Sequence, residues 1–153
     1  MTQDDVTSGR HFDDAIGYSG WPVDLHHPEG IYSGSKGPLY AALRAPMPTI
    51  PYRSLYSANI ENLFCAGRNI SVTHVALGTV RVMRTTAMMG EVVGLAASVC
   101  HRHGCLPRDV YKTHFADLHT LMEQGAGKQG LPNNQLFNVG RKEHLKGKNV
   151  KGL

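Results

Sequence analysis

The sequence predicts an α/β fold of short strands followed by a long buried helix and a second helix. Three observations predict it. Asn62–Ala66 (NLFCA) is a short apolar run ended by Gly67, the pattern of a buried strand. From Thr79 onward nearly every position is apolar or small up to about His101, the pattern of a helix buried on most sides. After Gly104 a second periodic stretch begins, with Val110, Phe115, Leu118, Leu121 and Met122 at near-helical spacing.

The elements follow in order. Residues 1–50 show little periodicity and carry Gly9, Gly17, Gly20, Gly30, Gly34 and Gly37 among several prolines. They read as irregular chain, with one short strand near Trp21–Leu25. A self-contained domain rarely begins with so long an irregular segment, so this one is expected to pack against something the chain does not contain. Ile50–Leu55 follows two prolines and reads as extended. Gly67 to Gly78 reads as loop, and the long helix is expected to start at Thr79. Within it Gly90, Gly94 and Ser98 recur every four residues on one face. Glycine inside a helix costs about 1 kcal/mol, and a close helix–helix crossing is the expected compensation. Gly104 stops this helix; Pro107 and Asp109 open the second, over about 108–123, and Gly125 ends it.

Composition bounds the rest. The 153 residues suit about one domain. The formal charge is +4, and the excess is concentrated in the tail, where Lys128, Arg141, Lys142, Lys146, Lys148 and Lys151 face one acid, Glu143. A basic, Gly/Asn-rich tail over 125–153 reads as a flexible, solvated segment. It lacks the interleaved aromatics of a nucleic-acid stacking surface, so no nucleic-acid role is expected. Three cysteines without disulfide spacing, and a polar start with no secretory pattern, favour a reducing, cytoplasmic setting. The apolar run after Thr85 contains Glu91 and is too short to span a membrane.

Residues Cys100–Cys105 (CHRHGC) offer two thiols and two imidazoles, but the spacing matches no common zinc ribbon or finger, and no metal is expected there. Among other polar residues, His74 has the side-chain type whose ordinary pKa suits proton removal near neutrality. Arg53 could hold a carboxylate. Asp24, His26, His27 and Tyr52 are further candidates around a substrate, and Asn69, Ser71 and Thr73 could donate hydrogen bonds from the loop.

The ordered pieces GWPVDLHHPEGIY, IPYRSLYS and NLFCAGRNISVTHVALGTVRVMRTTAMMGEVVGLAA resemble the FAD-dependent oxidoreductase family. That family belongs to the two-dinucleotide-binding-domain flavoproteins, with the fumarate reductase flavoprotein subunits and glutathione-reductase-like enzymes. The resemblance runs from about Phe12 to Leu118. It implies a Rossmann-like FAD domain of which this chain is the carboxy-terminal portion: residues 1–50 would come from the junction with the substrate domain, and 51–124 from the end of the FAD domain. The chain is read as lacking the first βαβ unit, whose G-x-G-x-x-G turn seats the pyrophosphate, and the acidic residue that follows it.

The same resemblance implies FAD as cofactor and hydride transfer with a small-molecule substrate as the chemistry. It places the turn Ala66, Gly67, Arg68 and Asn69 along the flavin ribityl chain. Relatives often have an acid at the position of Arg68, and an arginine cannot accept the ribityl hydrogen bond that an acid would. Thr79, Arg81 and Val82 would face the flavin ring from a helix tip. His74, Arg53 and His26 are the implied catalytic candidates. The alternative is a non-catalytic structural or interaction fragment; both readings need the missing amino-terminal half, or a partner chain that supplies it.

Overall fold

The structure, a computed structural model, describes residues 1–34, 36 and 45–125. It is a small α/β arrangement of two antiparallel strands and several helices. The basic tail from Lys128 to Lys151 lies outside the described residues.

The amino-terminal segment is more ordered than its composition suggests. Thr2 caps a short helix, α1 (Gln3–Thr7), in a reciprocal box: its backbone N–H donates to Asp5 Oδ2 at 2.7 Å, and Asp5 N–H donates back to Thr2 Oγ1. This answers two otherwise orphaned donors at the helix start. Val6 from α1 is fully buried beside Val23, Leu25 and Ala76, so the helix is held by packing rather than by its length.

Strand β1 (Ala15–Tyr18) pairs antiparallel with β2 (Thr49–Pro51), Gly17 opposite Ile50 and Tyr18 opposite Thr49. A bulge between Ala15 and Gly17 leaves Ile16 as the extra residue, and Ile16 is fully buried. The expected extension after the two prolines is therefore present at Thr49–Pro51, but Tyr52–Leu55 then tightens into a single 3₁₀ turn. Trp21–Leu25 is not a strand of this sheet; Val23 makes only a single bridge.

The expected strand at Asn62–Ala66 is not one. Only Phe64 pairs, in an isolated bridge with Tyr56, and Asn62 and Leu63 are exposed. The apolar run Leu63-Phe64-Cys65-Ala66 looked like a core strand because periodicity cannot tell a covered run from one resting on the rim. Here Phe64 and Ala66 pack against the edge of the core without a sheet beside them.

The long helix also differs. Helix α2 (His74–Val80) ends at Arg81, the chain extends at Val82, and α3 runs Met83–His103. Thr79 lies in the last turn of α2 instead of opening the long helix. The reason is tertiary: Thr79 Oγ1 hydrogen-bonds Ser19 Oγ and the Trp21 carbonyl, and Arg81 bonds Asp24, which pins the end of α2 to residues 19–24 before α3 departs. The second periodic stretch likewise divides, into α4 (Pro107–Thr113) and α5 (Phe115–Gln124), at His114. Gly104 caps α3 in the left-handed region and Gly125 follows α5, as the sequence indicates.

The core gathers around one stripe of α3: Thr85, Met88, Met89, Val92, Ala96 and Val99 are buried. These recur at three- and four-residue intervals, so one side of the helix faces β1, α4 and α5. Val110, Leu118 and Met122 cover that side. The opposite side is not covered by the described residues. Ala87, Gly90, Gly94, Ala97 and Ser98 are exposed, and a Cβ built on Gly90 or Gly94 would meet nothing within 4 Å. The expected burial on most sides therefore does not hold among the described residues, and the close crossing at the glycines is not made here.

A close approach is made elsewhere. A Cβ on Gly78 would stand 2.8 Å from the Asp24 carbonyl oxygen and 3.1 Å from a Leu25 methyl. The obstacle is backbone, so Gly78→Ala must push α2 off the 24–25 segment. It is expected to destabilise the fold by about 2 kcal/mol, in the range for overpacking. Urea unfolding at constant m-value measures this; a midpoint equal to that of the parent would mean that α2 sits loosely.

Candidate functional site

The polar groups singled out in the sequence fall into three neighbourhoods. The first centres on Arg53. Asp14 is fully buried and accepts from Arg53 backbone N–H, Nε and Nη2, each at 2.9 Å. Asp13 accepts from Nη2 at 3.0 Å and from the Tyr111 hydroxyl at 3.0 Å, and the guanidinium carbon lies 4.8 Å from the Tyr111 ring centroid. Hydrogen bonds donated to Asp14 hold Arg53 above the ordinary arginine pKa, and the Tyr111 hydroxyl holds Asp13 below the ordinary carboxylate value. Arg53 is thus a fixed, fully charged group whose Nη1 takes no part in these bonds.

Arg53 also lines an open groove of about 450 Å³, together with Cys65, Asn69, Ser71 and Arg108. That volume lies in the range of small-molecule sites. Two arginines, an amide and a hydroxyl on its walls suit an electron-rich ligand. Gly67 shapes the turn that leads into it. Its φ of 97° is open only to glycine without strain, and a Cβ there would meet only the Asn69 side chain, at 3.8 Å. Arg68 and Asn69 beyond it are exposed, while Ala66 before it packs against the core.

The second neighbourhood joins Asp24, His26 and Arg81. Arg81 Nη2 donates to Asp24 Oδ2 at 2.8 Å and to His26 Nε2 at 3.0 Å. Arg81 was expected at a helix start; it is the residue at which α2 ends, and its charge is answered by Asp24. Thr79 is fully buried with its hydroxyl engaged as described above, and Val82 is the extended residue before α3. The amides without helical partners are consequently those of Met83, Arg84 and Thr85, not those of Thr79 and Val80.

His74 stands apart from both groups. It is the first residue of α2, exposed, three residues beyond Ser71 of the groove. The expected loop placement is off by one element boundary, which leaves the imidazole at the surface. The structure therefore brings Arg53 and Asn69 to one groove, and His26 to Arg81, but places His74 in neither set of contacts. Asp13, Asp14, Tyr111 and Arg108 were not singled out in the sequence. Asp14 was the most accessible to inference, since a charged residue just before an apolar strand must find a partner once the strand is buried.

The letters G-x-G-x-x-G, read as missing, do occur once, as GAGKQG from Gly125 to Gly130. They follow a helix, α5, whereas the pyrophosphate turn follows a strand in a βαβ unit, so they are not that fingerprint. All but Gly125 lie outside the described residues.

A family model described as FAD dependent oxidoreductase matches residues 1–122. No curated protein and no solved structure matches. Among the described residues no helix is long and apolar enough to cross a membrane.

Proposed function

We propose, from the premise that this chain belongs to the FAD dependent oxidoreductase family, that it forms the flavin-facing, carboxy-terminal part of a Rossmann-like enzyme transferring hydride between a small organic substrate and FAD. The family match over residues 1–122 is the observation that carries this reading. FAD is the family's cofactor, and it would supply the hydride acceptor.

The chain fits part of such a cofactor. The positive-φ turn at Gly67 allows close backbone approach, and exposed Arg68 and Asn69 offer donors beside a groove already lined by Arg53, Ser71 and Arg108. Ala66 to Asn69 would hold the ribityl side, Val82 and the start of α3 the ring side. Arg53 would orient a substrate carboxylate or carbonyl through Nη1, its other donors being fixed by Asp13 and Asp14. His74, exposed three residues beyond Ser71 of the groove, would remove the substrate proton. Thr79 and Arg81 would position the α2–α3 corner rather than touch the ring, and His26 would support Arg81.

The pyrophosphate seat is the part this chain does not fit: no strand followed by a glycine turn and helix is found among the described residues. The uncovered side of α3, with Gly90, Gly94 and Ser98 exposed, supports the same division of labour, since those residues suit close packing by another segment. The missing half would come from the same reading frame or from a partner chain.

FAD titration of the purified chain, followed by flavin absorbance and fluorescence, tests this. The chain alone is expected to bind no FAD tightly, and co-expression with a segment encoding the βαβ unit is expected to give a yellow complex. Stoichiometric FAD on the chain alone would contradict the division. A colourless, inactive complex would instead favour the non-catalytic interaction fragment, a reading supported by how fully Arg81 and Thr79 are engaged internally.

A further inference from the structure

His103, His114 and Asp117 come from three different places: the last residue of α3, the break between α4 and α5, and the first turn of α5. Their ligand-type atoms lie within 4.8 Å of one another. Two of them converge on a single carboxylate oxygen. His103 Nε2 is 2.8 Å from Asp117 Oδ2, and His114 Nδ1 is 4.0 Å from the same atom. The two imidazoles stack with centroids 3.9 Å apart and planes 18° apart.

We infer that His103, His114 and Asp117 form a binding site for a divalent cation of the zinc type. Two imidazoles and a carboxylate are a donor set that zinc accepts, with the fourth position left to water. Bonds of about 2.0–2.1 Å in tetrahedral geometry set neighbouring ligand atoms on the order of 3.4 Å apart. The separations of 2.8 and 4.0 Å from Asp117 Oδ2 bracket that spacing, and an ion would be admitted once one of the two stacked imidazoles turns out of the stack so that both ring planes meet at the metal. All three side chains are reachable from solvent, at 29, 26 and 45% exposure, so an ion needs no opening of the core.

The site is structural in purpose. Helix α3 has 21 residues, so its far end lies about 30 Å from the corner at Val82 at 1.5 Å per residue. An ion there would clamp the end of α3 to the α4–α5 corner. Cys100 and Cys105 are close in sequence but are not members of the cluster.

Zinc binding by the full chain, stripped with chelator and then titrated with Zn²⁺, tests the inference; Co²⁺ substitution reports the coordination number through its visible spectrum. One equivalent is expected. His103→Gln and Asp117→Asn are each expected to weaken it by more than the roughly 10–100-fold that loss of an outer-shell partner costs. The Cys100→Ser/Cys105→Ser variant should bind as the parent does. Zn²⁺ should also raise the melting temperature of the parent and of the thiol variant, because it binds only the folded state. The inference fails if the parent takes up no zinc, if either folded variant of His103 or Asp117 retains parental affinity, or if the thiol variant alone loses the ion.

Discussion

Arg53→Met is expected to lower the free energy of unfolding by about 3 kcal/mol. Removing one member of a buried ion pair costs about 3–5 kcal/mol, because the remaining charge is left desolvated without its partner. The low end applies here, since the Arg53 side chain is 43% exposed and water reaches one side of it. Asp14 itself is fully buried and receives three hydrogen bonds from Arg53, one of them from the backbone N–H, which survives the substitution. The double variant Asp14→Asn/Arg53→Met should recover most of the loss, because an amide can still accept from that N–H and no charge remains buried. Urea unfolding of the two single variants and the double variant forms a complete cycle. If Arg53→Met alone matches the parent, Asp14 is not the buried anion described here. In the proposed flavoprotein complex a second effect is expected: a raised KM for substrate even where the protein is fully folded, if Nη1 meets the substrate as proposed.

Replacing His74 by Gln in the proposed flavoprotein complex is expected to slow flavin reduction by at least about a hundredfold, the lower bound for losing a general base. Stability should hardly change, because the imidazole is exposed at the first position of α2. That separation makes the test clean. Rapid mixing of substrate with oxidised enzyme reads the reductive step directly. An unchanged rate would remove His74 from the chemistry and leave Arg53 as the proposed substrate contact.

The expectations that held and those that did not divide along a physical line. Met88, Met89, Val92 and Ala96 of the long helix, and Val110, Leu118 and Met122 after it, were legible as core residues at helical spacing, but the sequence read the long helix as buried on most sides and the structure buries one stripe of it. Gly104 and Gly125 were legible because a helix end needs a residue that tolerates what other side chains do not. The Asn62–Ala66 strand was misread because a strand is defined by its neighbour, and the described residues place only Tyr56 opposite Phe64. The break at Arg81–Val82 was missed because its cause is remote: Ser19, Trp21 and Asp24 capture Thr79 and Arg81 across 57 to 60 residues of chain.

Sequence alone therefore settled that most of Met83–His103 is helical, that further helix follows Gly104, and which family the ordered motifs belong to, since these depend on spacing along the chain. Tertiary structure alone decided where helices stop short, that Arg53 is locked onto buried Asp14, and that His103 meets His114 and Asp117. Those outcomes rest on polar groups finding partners far away in sequence. Burial makes such partners obligatory, but only packing chooses them.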